Sequence, residues 1–196
     1  KMSRHGCGDS YPYGNELRGC PTNDHPTHSM QTYSALCAKH LELDYCCHAQ
    51  GYSSNNGILR QIKLAELQQS DTVLAMWTFA VRYAFMFEGD RGWRTIEQDE
   101  DRWYWENVDQ APAECLDRTV DSILAAEQIL SSIGCNYIFL CNNLELQNKI
   151  QYNTIWLDKS RWLFLAKDHK MITSTGHPDQ AVHRDVFDKL KERLNG

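Results

Sequence analysis

The sequence predicts an α+β domain: N-terminal helices around a buried central helix, then a small antiparallel C-terminal sheet and a closing helix, braced by disulfides. Three observations carry this. Residues 71–87 (DTVLAMWTFAVRYAFMF) form the most apolar run, the pattern changes from helical to short β-prone runs after Gly134, and 196 residues contain eight cysteines. Helices and strands segregated along the chain point to α+β layering rather than to alternating units. The length suits one domain, expected over residues 29–196, preceded by an irregular segment over 1–28.

Residues 1–28 are rich in Gly, Pro, Asn, Asp and Ser and lack periodicity, so they cannot build a core of their own; Cys7 and Cys20 are expected to staple them to the body. From 29 to 48 Met30, Tyr33, Cys37 and Leu41 recur on one side, as in a helix. Residues 50–57 (QGYSSNNG) read as a loop, and 58–69 as a second amphipathic helix through Ile58, Ile62 and Ala65. The run 71–87 has good N-cap residues in Ser70 and Asp71 and a stop in Gly89. Its aromatic and β-branched residues would also suit a strand, but single strands rarely exceed about ten residues, which favours helix. It is slightly short for a membrane span and carries Arg82. On this helix Asp71, Ala75, Thr78 and Arg82 share one narrow face, so Arg82 either meets solvent or enters a buried pair or pocket.

Residues 88–110 begin as a loop at Gly89 and Gly92, and Thr95 with Gln98 resembles a capping box. A helix is expected over 112–133, opened by Pro112, striped by Leu116, Val120, Ile123, Leu124 and Leu130, and stopped by Gly134. The runs 135–141 (CNYIFLC), 153–157 (NTIWL), 161–167 (RWLFLAK) and 170–174 (KMITS), with turn-like separators, suggest an antiparallel meander. Pro178 opens the closing helix through Val182, Val186, Leu190 and Leu194.

The eight cysteines are Cys7, Cys20, Cys37, Cys46, Cys47, Cys115, Cys135 and Cys141; their even number and the lack of any CxxC pair read as disulfides in an oxidising, extracellular compartment. Adjacent Cys46 and Cys47 would each need a distant partner, and Cys135 and Cys141 on one strand lie too far apart to pair. Reduced thiols in an intracellular scaffold are the opposing reading. The net charge of −6 argues against nonspecific nucleic-acid binding. Residues 88–127 hold twelve acids against four arginines, a net −8 that leaves +2 for the rest of the chain. That block is a solvated face, or it attracts a cationic partner or a metal.

Three groups of residues are chemically suggestive. Glu127 falls at the centre of the apolar stripe of helix 112–133, where a carboxylate is either desolvated or paired, and Arg82 is the natural partner. Otherwise Glu127 is a candidate acid or base. Trp93, Trp103, Tyr104 and Trp105 stand among Asp99, Glu100, Asp101 and Glu106, a mixture that suits sugars or cations, or else anchors a loop to the core. Five histidines lie near five cysteines in the first quarter, with His25, His28, Cys37 and His40 at spacings a metal tolerates, but oxidised cysteines cannot be ligands and no metal or other cofactor is expected. His169, His177 and His183, near Lys170 and Arg184, could form a metal-free phosphodiester-cleaving site. There is no G-x-S-x-G elbow, P-loop or GxGxxG.

The function expected from these features is that of a secreted, disulfide-stabilised binding protein, an effector, toxin or recognition module. It would contact a protein or glycan partner through Trp93, Trp103, Tyr104 and Trp105, with Arg82 as a further ligand contact. The alternative is a small secreted hydrolase using Glu127 or the acidic cluster on a glycan-like substrate.

Overall fold

The structure, a computed structural model, describes residues 2–14, 17, 27–85, 94–96, 112–153, 157–165 and 177–194. In chain order the elements are β1 (Ser3–Cys7), α1 (Ser10–Tyr13), α2 (Tyr33–His40), β2 (Asp44–Cys47), α3 (Asn55–Leu64), β3 (Thr72–Trp77), β4 (Tyr83–Phe85), β5 (Arg94–Ile96), α4 (Pro112–Ile133), β6 (Asn136–Cys141), α5 (Leu144–Asn153), β7 (Trp162–Phe164) and α6 (Gln180–Leu194). A 3-10 turn, Lys159–Arg161, leads into β7.

Five strands form one sheet in the order β2-β1-β3-β6-β7, and every pairing in it is parallel. Parallel neighbours need a crossover, and helices supply it: α2 between β1 and β2, α3 between β2 and β3, α4 before β6, α5 between β6 and β7. The expected antiparallel sheet and α+β class are therefore corrected to a parallel α/β sheet with a helical layer on each face. One face packs Val73, Ala75, Trp77, Tyr137 and Phe139 against Ile58 and Ile62 of α3, Ile123 and Leu130 of α4, and Leu146 of α5. The other packs Leu74, Met76, Ile138 and Leu140 against Tyr33 and Cys37 of α2 and Val186 and Leu190 of α6.

The expected central helix is corrected as well. Its first part is β3, buried at every position, and its second is β4, which pairs antiparallel with β5. A strand covered on both faces shows no alternation, so its pattern cannot be told from that of a buried helix. The irregular start is corrected over Ser3–Cys7, which forms β1 next to the sheet's centre. Helix α5 fills the stretch between the expected strands 135–141 and 153–157, which makes the connection after β6 a crossover rather than a turn; Asn143 opens it by accepting from the Leu146 N–H at 2.8 Å.

The expected disulfide bracing is corrected too. Cys7, Cys37, Cys46, Cys47, Cys115, Cys135 and Cys141 are not joined by disulfides, and Cys20 lies outside the described residues. Register explains part of this: consecutive Cys46 and Cys47 pair with His5 and Gly6 and so point to opposite faces of β2. Cys7, Cys135 and Cys141 instead fill the core as small apolar groups. No bridge among the described cysteines therefore marks an oxidising compartment. Among the described residues no helix is long and apolar enough to cross a membrane.

The strand order reverses between β1 and β3, because the chain moves outward from β1 to β2 and then returns past β1 to build the other half. In open parallel sheets the crevice at such a switch point, outside the C-terminal strand ends, is where ligands bind. Here those ends are Cys7 and Trp77.

Candidate active site at the switch point

The turn leaving β1 is built by Gly8 and Asp9. Gly8 has φ +148°, and a Cβ there would sit 2.4 Å from Pro12 Cγ and 3.1 Å from the Met76 carbonyl oxygen. Only glycine suits that conformation and close approach. The Gly8 N–H donates to Gln61 Oε1 at 2.8 Å, and its carbonyl accepts from Gln61 Nε2 at 3.0 Å and from the Gln50 N–H at 3.2 Å. Gln61 thus grips the peptide from α3 as a neighbouring strand would. Asp9 Oδ1 then accepts from the Tyr11 N–H at 3.1 Å, which starts the short helix α1 and makes Ser10 its first residue, just past the end of β1.

Asp9 is buried, and its Oδ2 accepts from Thr78 Oγ1 at 2.7 Å and from Arg82 Nη1 at 3.3 Å. Arg82 Nη1 also lies within hydrogen-bond reach of Thr78 Oγ1, at 3.3 Å, and its guanidinium lies 5.3 Å from the Phe79 ring centre. Arg82 therefore pairs across the switch point with Asp9, which corrects its expected pairing with Glu127. Asn55, at the start of α3, holds the end of β3 from the other side. Its Oδ1 accepts from the Thr78 N–H at 2.9 Å, and its Nδ2 lies 3.1 Å from the Thr78 carbonyl, 3.3 Å from the Phe79 carbonyl and 3.1 Å from Thr119 Oγ1.

From the far end of the chain, His177 arrives beside this turn, its ring edge-on to Tyr11 with centroids 6.2 Å apart. Burial, then the negative charge of Asp9, raises the Tyr11 hydroxyl to about 12, so it stays protonated. Pro178 and Asp179 follow His177, and Asp179 Oδ1 caps α6 by accepting from the Val182 N–H at 3.0 Å, so the start of α6 sets where His177 stands. His183 has another role. It is buried, accepts from the Tyr33 N–H through Nδ1 at 3.3 Å and stacks on the Tyr33 ring. Burial lowers it to about 4 and keeps it neutral. His169 lies outside the described residues. The expected histidine trio is thus split, with His177 at the switch point and His183 in the core.

Glu127 is half-buried. Its Oε1 accepts from the Tyr137 hydroxyl at 3.3 Å and from the Asp158 N–H at 3.1 Å. Tyr137 is the second residue of β6, so in a parallel sheet Glu127 lies at the N-terminal strand ends, away from Ser10. Trp93, Trp103, Tyr104 and Trp105 lie outside the described residues. Burial holds the Cys7 thiol far above the usual thiol range, so Cys7, three residues before Ser10, is not a thiolate nucleophile.

No family model and no curated protein matches the sequence. Solved structures do match. A carbohydrate esterase, whose active site is described as having divergent catalytic and non-catalytic binding functions, superposes with a TM-score of 0.61 at 14% identity, over 100% of this chain and 68% of its own. A protein of the G-D-S-L family from Desulfitobacterium hafniense DCB-2 gives 0.57 at 11% identity, over 96% and 97%. The psychrotrophic esterase EstA from Pseudoalteromonas sp., solved inhibited by monoethylphosphonate, gives 0.53 at 11%, over 99% of each chain. The fold is SGNH-hydrolase-like. This finding, with the unbridged thiols, overturns the disulfide-braced binding or toxin module. It does not favour the carboxylate-based alternative either, since Glu127 is tied to Tyr137 and Asp158. The residues that sequence reasoning missed are Gly8-Asp9-Ser10, three of the four letters that name the G-D-S-L family, with Tyr11 in the fourth place. Their signal, an Asp-Ser directly after a glycine, was hidden inside a segment whose composition reads as irregular.

Proposed function

We propose that the protein is a serine hydrolase acting on esters, with Ser10 as nucleophile and His177 as general base. The observation that carries this reading is the delivery of His177 against Tyr11, the residue after Ser10, at the switch point of a fold shared with esterases. In the proposed reaction the Ser10 hydroxyl attacks the ester carbonyl and its proton passes to the His177 imidazole. That proton then leaves with the departing alcohol, and water cleaves the acyl-enzyme with the same base. Asp9 is not offered as the acid behind His177, because its oxygens already serve the Tyr11 N–H, Thr78 and Arg82. Oxyanion stabilisation is assigned to the Ser10 backbone N–H, since the Tyr11 N–H serves Asp9, Pro12 has none, and the Asn55 amide is occupied by β3 and Thr119. Tyr52, Phe79 and Leu144 are exposed on the segments that follow β2, β3 and β6, at this same end of the sheet. They favour esters with an apolar acyl or alcohol part.

The test is hydrolysis of p-nitrophenyl butyrate together with mass-spectrometric labelling by a fluorophosphonate. Wild-type protein should turn over the ester and carry the label on Ser10. Ser10→Ala should lose about 10³-fold or more in kcat/KM and take no label, with an unchanged circular dichroism spectrum. Undiminished turnover in Ser10→Ala, or neither turnover nor label in the wild type, rejects the proposal.

A further inference from the structure

The opposite end of the sheet carries a cavity of its own. A cavity of about 680 Å³ opens at the N-terminal strand ends, lined among others by Arg4 of β1, Arg161, Arg193, Leu41, Leu43 and Leu194. Among the described residues that line it there is no Asp or Glu. Two of the arginines are held by neighbours. Arg193 Nη1 donates to the carbonyls of Ser160 and Trp162 at 3.2 and 2.7 Å, and Arg161 lies over the Tyr137 ring at 5.1 Å and near Asp158. Arg4 differs. It is 1% exposed, and its Nε and Nη1 find no hydrogen-bond partner among the described residues. Cys37 is a side-chain hydrogen-bond partner of Arg4 but no counter-ion, because burial pushes the thiol up to about 11 and keeps it neutral. A guanidinium taken out of water without an opposing charge is strongly unfavourable. It sits in a cavity wall with two further cations and a leucine-lined side.

We infer that this cavity binds an amphipathic carboxylate, its head group against Arg4 and its apolar tail against Leu41, Leu43 and Leu194. A carboxylate supplies the missing charge and accepts from a guanidinium donor, and the leucines exclude water from a short alkyl tail. Purely inorganic anions would leave that apolar wall unused. The site is independent of Ser10 and does not rest on ester hydrolysis.

Octanoate is the probe, titrated calorimetrically into the whole protein with octanol and inorganic phosphate as separate arms. Saturable one-to-one octanoate binding is expected, weaker binding by octanol, and a loss of about tenfold or more in octanoate affinity for Arg4→Met. Octanoate affinity unchanged in a folded Arg4→Met would overturn the inference, as would phosphate binding without octanoate binding. If Arg4→Met does not fold, the wild-type comparison decides alone: octanol binding as tightly as octanoate overturns it.

Discussion

His183 shows how a single side chain couples packing to pH. Its imidazole lies on the Tyr33 ring and burial lowers it to about 4, whereas in an unfolded chain histidine titrates near about 6.5. Between those values the unfolded state binds the extra proton, so this contribution is fully present above the unfolded value and is lost as pH falls toward 4. The full difference is about 3 kcal/mol. Burial shifts His5, His28 and His48 in the same direction. The melting temperature should therefore be level above neutrality and fall on acidification below about pH 6.5. His183→Asn, which keeps an acceptor for the Tyr33 N–H, should flatten that limb. An equally steep acid limb in the variant would assign the loss to other groups. Gly8 is the other decisive residue, since its φ and its closeness to Pro12 are what turn β1 into α1 and set Ser10 just past the C-terminal end of β1.

Among the elements, the junction of α3 with the ends of β1 and β3 holds the proposed site together. Asn55 and Gln61, both on α3, clamp Thr78 and Gly8 through their side-chain amides. Asn55→Ala would strand the buried Thr78 N–H and leave the Thr78 and Phe79 carbonyls without that donor. A loss of about 2–4 kcal/mol is expected from urea unfolding, with a parallel fall in the rate of the proposed ester hydrolysis as the Asp9–Thr78 contact loosens. A loss well under 1 kcal/mol would show that water replaces the amide and that the clamp is dispensable. Element type was legible where one face meets solvent. The α4 helix runs from Pro112 to Ile133, bounded by Pro112 and by Gly134 at φ +78°, the signals that mark it in the sequence. It was illegible for β3, where helices on both faces make every position from Val73 to Trp77 apolar, and where β3, a turn and β4 run together into one stretch long enough to resemble a helix.

At the scale of the whole molecule, the sheet and its thiols decide how the protein is to be handled. Seven described cysteines stand outside any disulfide, so thiol titration in denaturant without reductant should count at least seven groups per chain. A count of two or fewer would mean that bridges form in solution and would restore the argument for an oxidising compartment. Composition and periodicity by themselves determined the apolar stripes of α3, α4 and α6, the acidic balance and the shortage of any segment fit to span a membrane, because these depend on residues within a few turns of one another. Only the tertiary structure decided that the strands run parallel, that β1 lies beside β3, and that His177 meets the turn holding Ser10. Those facts rest on pairings between distant segments and on crossovers through helices, and the local pattern of a doubly covered strand carries no record of its neighbour. The same holds for the irregular-looking start of the chain: Gly8-Asp9-Ser10 reads as a loop until β3 and α3 close around it.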